Sequence, residues 1–246
     1  MNQPLTLNCD MGEGFGPWKM GNDEGIMPLI DAANIACGGH AGDPSTMRQC
    51  VALARKHDTE IGAHVSYPDK EGFGRRAMDI RGQALVDLIH YQVGALDGIA
   101  RANGRRVTYI KPHGALYHAI LADPSLMNDI MRAAASWHAN LELVVLATPR
   151  DRKTVQLAVE HGLNLRYEAF ADRGYTTRGL LLSRDKPGAV LTPEEAAQQA
   201  IAITHNKLKT SRGKRIPVSA DTLCVHSDSP GAVKMIRAIR QALDHS

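Results

Sequence analysis

Asp10 and Glu13 stand three residues apart in Asn8-Cys9-Asp10-Met11-Gly12-Glu13-Gly14-Phe15-Gly16, directly after a short apolar run. Two carboxylates in one cleft can raise one another's pKa and share acid–base work, or together hold a divalent cation. The alternative is structural, with Asp10 capping the turn and Glu13 facing water. His40 follows the next apolar run, in Asn34-Ile35-Ala36-Cys37-Gly38-Gly39-His40-Ala41-Gly42-Asp43. His64 follows the third, in Gly62-Ala63-His64-Val65-Ser66-Tyr67-Pro68-Asp69. Asp10, His40 and His64 make a metal-ligand constellation that would equally serve acid–base chemistry. The chain has no HxxH or HExxH spacing to choose between the two.

Lys111 and His113 flank Pro112 at the end of a fourth run. Residues two apart on a strand share a face, so both can point at one mouth. A lysine there can bind a carboxylate or phosphate, stabilise an oxyanion, or pair with an interior carboxylate. Gly72-Phe73-Gly74-Arg75-Arg76 and Asp172-Arg173-Gly174-Tyr175 add guanidinium forks that match carboxylates. With Lys111 they point to a small acidic substrate. Cys224-Val225-His226-Ser227-Asp228 closes the last run, and Asp228 with Ser227 and Ser229 can cap the helix that follows. There is no GxxxxGK[ST] and no GxGxxG after a strand, so no recognisable nucleotide loop.

The elements that must hold these residues alternate. Strands are expected at Leu5 to Cys9, Ala33 to Cys37, Glu60 to Val65, Val107 to Lys111, Leu141 to Ala147, Leu165 to Phe170 and Thr222 to Val225. Val218 to Ala220 can extend the last, and Ala189 to Leu191 can add a short one. Helices are expected at Asp23 to Asp31, from Pro44 to Lys56 with Asp43 as cap, and at Arg81 to Asn103. Others follow at Pro124 to Asn140, Arg150 to His161, from Thr192 to Lys207, and Pro230 to Ala242. Alternation implies parallel strands with crossover helices, in a barrel or a doubly wound sheet. Polar residues end nearly every strand, whereas an open sheet would gather them at one switch point. The expected fold is therefore a single parallel β/α barrel over residues 1–246, with seven strands.

The composition agrees. With 43% hydrophobic residues but only 4% aromatics, the core must be mostly small aliphatics. A net charge of +3 selects no partner. The basic stretch Lys207 to Arg215 reads as a solvated loop; no aromatic interleaves it, so no nucleic-acid surface is expected. Cys9, Cys37, Cys50 and Cys224 lack CxxC spacing and read as small core residues of a reducing compartment. The N-terminal residues show no secretory pattern and no apolar run approaches a membrane span, so a cytoplasmic protein is expected.

Taken as a set, these stretches resemble the LamB/YcsF family. The matching stretches are LNCDMGEGFG from Leu7, NIACGGHAGDP from Asn34, GAHVSYPDKEGFGRR from Gly62, KPHGALYH from Lys111, FADRGYTTRGLLLSR from Phe170 and CVHSDSPGA from Cys224. The chain departs from the family pattern at Gly39, where an aromatic is usual, at Val65, where a proline is usual, and at Ala169, where a bulkier residue is usual. The resemblance implies a fold related to the seven-stranded barrels of the glycoside hydrolase and deacetylase type. It implies cleavage of 5-oxoproline to L-glutamate coupled to hydrolysis of ATP, with magnesium, as the A subunit of a 5-oxoprolinase that also contains 5-oxoprolinase subunits B and C. Asp10, Glu13, His40, Asp43, His64, Lys111, His113, Asp172, Arg173 and His226 all match the pattern. The candidate catalytic residues are Asp10, Glu13, His40, His64, Lys111 and His113. The candidate substrate-binding residues are Asp43, Arg75, Asp172, Arg173 and His226, and a divalent metal would fall to Asp10, His40 and His64. Two other classes compete: a stand-alone metal-dependent amidohydrolase or deacetylase, and a non-catalytic scaffold subunit.

Overall fold

Every apolar run that ends in a polar residue near glycine is a strand in the computed structural model, which describes residues 5–138, 140–148, 152–227 and 231–244. The strands are β1 (Thr6–Met11), β2 (Ala32–Ala36), β3 (Glu60–Val65), β4 (Tyr109–Pro112), β5 (Glu142–Leu146) and β6 (Asn164–Phe170), with β7 (Leu208–Lys209), β8 (Arg215–Ile216) and β9 (Thr222–Val225) following. β1 to β6 and β9 close a seven-stranded barrel, and every neighbouring pair is parallel. The helices are α1 (Asp23–Ile26), α2 (Pro44–His57), α3 (Gly82–Ala102), α4 (Gly114–Ala122), α5 (Pro124–Ala135), α6 (Arg152–His161), α7 (Pro193–Thr204) and α8 (Ala232–Asp244). A 3-10 turn, Met27–Leu29, continues α1, because Pro28 cannot donate to an α-helical ladder.

Strand periodicity sorts the side chains. Leu7, Cys9 and Met11 join the large apolar layer beneath the helices, while Asn8 and Asp10 face the barrel interior. Ala32, Tyr109 and Val144 form a small apolar cluster of their own inside the barrel. Gly62 makes room for it, since a Cβ there would fall 2.0 Å from the Tyr109 ring. The floor is ionic. Arg166 donates to Glu60 Oε2 at 2.7 Å, Glu60 Oε1 at 2.9 Å and Glu142 Oε2 at 2.7 Å. The missing side chain at Gly39 also has a local reason, because a Cβ would lie 2.5 Å from both Gln92 Oε1 and Ser66 Oγ.

Several elements differ from the sequence reading. α4 is not expected from the sequence: its residues are apolar almost all round, and His113 gives it no side-chain cap, so neither period nor start signal marks it. The stretch read as a basic loop contains the antiparallel β7–β8 hairpin, anchored by buried Leu208 and Ile216. Residues 189–191 make only an isolated bridge, Arg173 to Val190, and 218–220 lie outside β9. The helix expected to reach Asn140 stops at Ala135. The starts at Arg150 and Pro230, and capping by Asp228 and Ser229, lie outside the described residues. All four cysteines are buried and free. Among the described residues, no helix is long and apolar enough to cross a membrane.

Candidate active site

The C-terminal ends of the strands surround a cavity of about 500 Å³ lined by Asp10, His64, Arg75, Lys111, His113, Arg173 and His226, among others. Glu13 and His40 are buried beside it, and Asp172 is buried behind His226. Asp43 lies elsewhere. Its carboxylate caps α2 by accepting from the Thr46 N–H at 2.9 Å and also accepts from the Gly16 N–H at 2.9 Å. It lines a separate hollow beside Phe15 and Trp18. His118 is exposed at the rim of the first cavity.

At the base of the cavity, Lys111 is almost completely buried. Its Nζ donates to Asp10 Oδ1 at 2.9 Å, Cys224 Sγ at 2.9 Å and Asn8 Oδ1 at 3.3 Å. Glu168 Oε1 lies 3.0 Å away as an ion-pair contact without hydrogen-bond alignment. Burial opposes the charge on Lys111, but Asp10, Cys224 and Glu168 outweigh it and hold the amine well above its usual value. Burial likewise opposes ionisation of Asp10, and His64 with Lys111 brings it well below the carboxylate range. Asn34 donates to Asp10 Oδ1 at 2.8 Å and to Asn8 Oδ1 at 2.8 Å, and accepts from Tyr109 OH at 2.7 Å. Asp10 Oδ1 is thus occupied, while Oδ2 faces His64 Nε2 at 3.4 Å.

One donor atom each from Glu13, His40, His64 and His113 lies within 4.8 Å of all the others. Backbone carbonyls select the ring tautomers. Lys111 O accepts from His64 Nδ1 at 3.0 Å, and Phe73 O accepts from His113 Nε2 at 2.9 Å. The remaining nitrogens, His64 Nε2 and His113 Nδ1, therefore face each other at 3.0 Å. In neutral rings both carry lone pairs, and a shared proton or a cation relieves that contact. His40 stacks on His113 at 3.8 Å, with Nε2 3.3 Å from Glu13 Oε1 and a buried Nδ1 that has no partner among the described residues. Burial, followed by the charges of neighbouring histidines, holds His40 and His113 well below the usual imidazole range. Neutral imidazoles beside a carboxylate are the donor set a divalent ion such as zinc takes, so the cluster fits one. It differs from the Asp10, His40, His64 set in using Glu13 and His113, with Asp10 turned to Lys111.

A second pair completes the wall. His226 Nδ1 donates to Asp172 Oδ2 at 2.8 Å and its backbone N–H to the same oxygen at 3.1 Å. Burial alone would raise the Asp172 carboxyl; His226 and then Arg173 bring it below its usual value. Arg173 spends its fork on the long β6–α7 loop, donating to Ala189 O at 2.9 Å and Leu182 O at 2.6 Å. Sequence reasoning left out Asn8, Asn34, Glu168 and Phe73. Asn8 could have been found, since it lies two residues before Asp10 and shares its strand face.

The LamB/YcsF family profile matches residues 5–246. The chain belongs to the LamB/YcsF family. This LamB/YcsF chain is 50% identical, over 98% of its length and 94% of the relative's, to the second 5-oxoprolinase A subunit of Pseudomonas putida. It is also similar to the crystal structure of a lactam utilization protein from Thermus thermophilus, with 37% identity, a TM-score of 0.91, and coverage of 99% of this chain and 97% of that one. A GH30 endoxylanase from Clostridium papyrosolvens matches at a TM-score of 0.53 and 11% identity, covering 99% of this chain and 72% of that one. That likeness places the family's barrel near glycoside hydrolase barrels in fold alone.

Proposed function

We propose that this chain opens the lactam of 5-oxoproline to L-glutamate as the A subunit of a multi-subunit, ATP-hydrolysing 5-oxoprolinase of the cytoplasm. The observation that carries this reading is the nearly full-length likeness to 5-oxoprolinase A subunits at 50% and 48% identity. The site supports it with acid–base groups lining one cavity and cationic Lys111 and Arg173 for an acidic substrate.

A lactam carbonyl is a poor electrophile. Phosphorylation of its oxygen by ATP, with magnesium, would make the ring carbon open to attack by water. In this reading the nucleotide is consumed with partner subunits B and C. Asp10 is the group to take the proton of the attacking water: Asn34 and Lys111 hold Oδ1, His64 and Lys111 keep the carboxylate ionised, and Oδ2 stands beside His64 at the cavity. Glu13, His40, His64 and His113 would hold a divalent metal. Such an ion would supply Lewis acidity to the reaction. Lys111 and Arg173 offset the carboxylate of the substrate and the charge developing on oxygen, Lys111 from within its own ion-pair network.

The experiment is reconstitution with subunits B and C, measuring 5-oxoproline-dependent ADP release and glutamate formation, against the chain alone. Glutamate is expected only from the complex. Turnover of an amide by the isolated chain with a divalent metal and no ATP would replace this reading with a stand-alone amidohydrolase, which the Glu13 and histidine cluster also suits.

A further inference from the structure

His226 lines the cavity with Asp172 buried behind it, and neither belongs to the Glu13, His40, His64, His113 cluster. Asp172 follows β6 and His226 follows β9, which are paired neighbours in the barrel. Asp172 Oδ2 receives both the Nδ1–H and the backbone N–H of His226, so the ring cannot turn without losing a bond. One face lies against Phe170, with ring centroids 5.5 Å apart and an interplanar angle of 20°. The side chain is 15% exposed, and Nε2 makes no hydrogen bond with any described residue. Asp172, Asp10, Arg173 and Lys111 are the charged groups on the strand ends around it. An imidazole held at Nδ1 and along one face, in the lining of a cavity and with its other nitrogen unbonded, is placed to move a proton there.

The reaction, on the 5-oxoproline reading above, asks for a proton at one particular atom. Water adds to the phosphorylated lactam, its oxygen to the ring carbon and one proton, by way of Asp10, to the ring nitrogen. The tetrahedral carbon then carries a hydroxyl, a phosphoryl oxygen and the nitrogen. As Asp10 takes the hydroxyl's proton and the carbonyl re-forms, either of two groups can leave. If the bond to the phosphoryl oxygen breaks, phosphate departs with the electron pair and the lactam returns, with ATP consumed and nothing opened. If the bond to nitrogen breaks, the nitrogen takes the pair and γ-glutamyl phosphate results, which water splits to glutamate and phosphate. Phosphate leaves readily; an amine leaves only when protonated.

We propose that His226, held by Asp172, protonates the ring nitrogen and so sets how much ATP hydrolysis is coupled to ring opening. The imidazolium gives its Nε2 proton to the nitrogen as the carbon–nitrogen bond breaks. Neutral His226, its Nδ1–H still on Asp172, is reprotonated from solvent. Asp172 is a positioning residue that selects the tautomer.

The test uses the reconstituted complex and reads ADP released per glutamate formed at saturating 5-oxoproline. His226→Ala is expected to keep releasing ADP while the ratio rises by about tenfold or more, the scale of a lost general acid. Added imidazole is expected to bring the ratio back down. Asp172→Asn is expected to raise it in the same direction, and it carries the test if His226→Ala fails to assemble. A ratio unchanged from wild type in these variants, with both rates falling together, overturns the proposal and leaves the functional reading standing. A wild-type complex that makes no glutamate from 5-oxoproline overturns the reading and the proposal with it.

Discussion

Lys111 keeps its charge in the barrel interior because two carboxylates, Asp10 and Glu168, surround its ammonium group. Removing it leaves two buried acids without a cation. Lys111→Met is therefore expected to lower stability by about 3–5 kcal/mol, seen as a shifted urea midpoint. Lost turnover in that variant would report the fold before the chemistry. Asp10→Asn keeps the shape and the Asn34 contact, so a fall in turnover of roughly 100-fold or more with a preserved near-ultraviolet spectrum is expected for a proton acceptor. Near-normal turnover would remove Asp10 from that role. Asp43 belongs to the helix rather than the cavity. Asp43→Ala is expected to cost about 1 kcal/mol in thermal or urea unfolding, as a lost cap does, with turnover per folded complex retained.

At the scale of elements, the ends of β1 to β4, β6 and β9 supply the site, so strand packing is transmitted to the chemistry. Gly62 on β3 admits the Tyr109 ring from β4, and Tyr109 OH orients Asn34, which orients Asp10. Gly62→Ala is expected to displace that ring, cost about 1–3 kcal/mol as overpacked cores do, and lower turnover with it. A wild-type urea midpoint in the alanine variant would show that the ring has room to move. Glu13, His40, His64 and His113 follow or end β1, β2, β3 and β4. A metal held by them would cross-link four connections of the barrel. Zinc is expected to raise the melting temperature and a chelator to lower it, with the shift abolished in His113→Ala. No shift in the wild-type protein would argue that the facing lone pairs are bridged by a proton instead.

For the whole molecule, the two ends of the barrel divide the work. The mouth collects reactive groups, while the floor is fastened by Arg166 between Glu60 and Glu142. Burial would raise the Glu60 carboxyl, but the Arg166 fork and Thr108 hold it below its usual value near 4.5. The folded state therefore binds fewer protons than the unfolded state just below that value. This part of the stability is complete above about pH 4.5 and is lost as pH falls through the lower, folded value. Urea midpoints across that range are expected to decline more steeply in the wild type than in Glu60→Gln. Parallel slopes would show that the floor does not contribute to acid unfolding.

What the chain's own pattern determined was the alternation of strand and helix and the side chains at each strand end. Short apolar runs closed by Asp, His or Lys near glycine are local signals carried by most of the barrel strands, while β5 is marked by its apolar run alone. α4 and the β7–β8 hairpin escaped because one is apolar nearly all round and the other is two residues wide per strand. Which reactive groups meet was a different matter. Asp10 looked equivalent to Glu13 along the chain, yet Lys111, 101 residues away, draws it into an ion pair. His113 joins His40 and His64 because the carbonyls of Phe73 and Lys111 fix which nitrogen each ring presents. Those carbonyls lie 40 and 47 residues from the histidines they orient. Only closure of the barrel brings such groups within hydrogen-bond reach, and no spacing along the sequence encodes it.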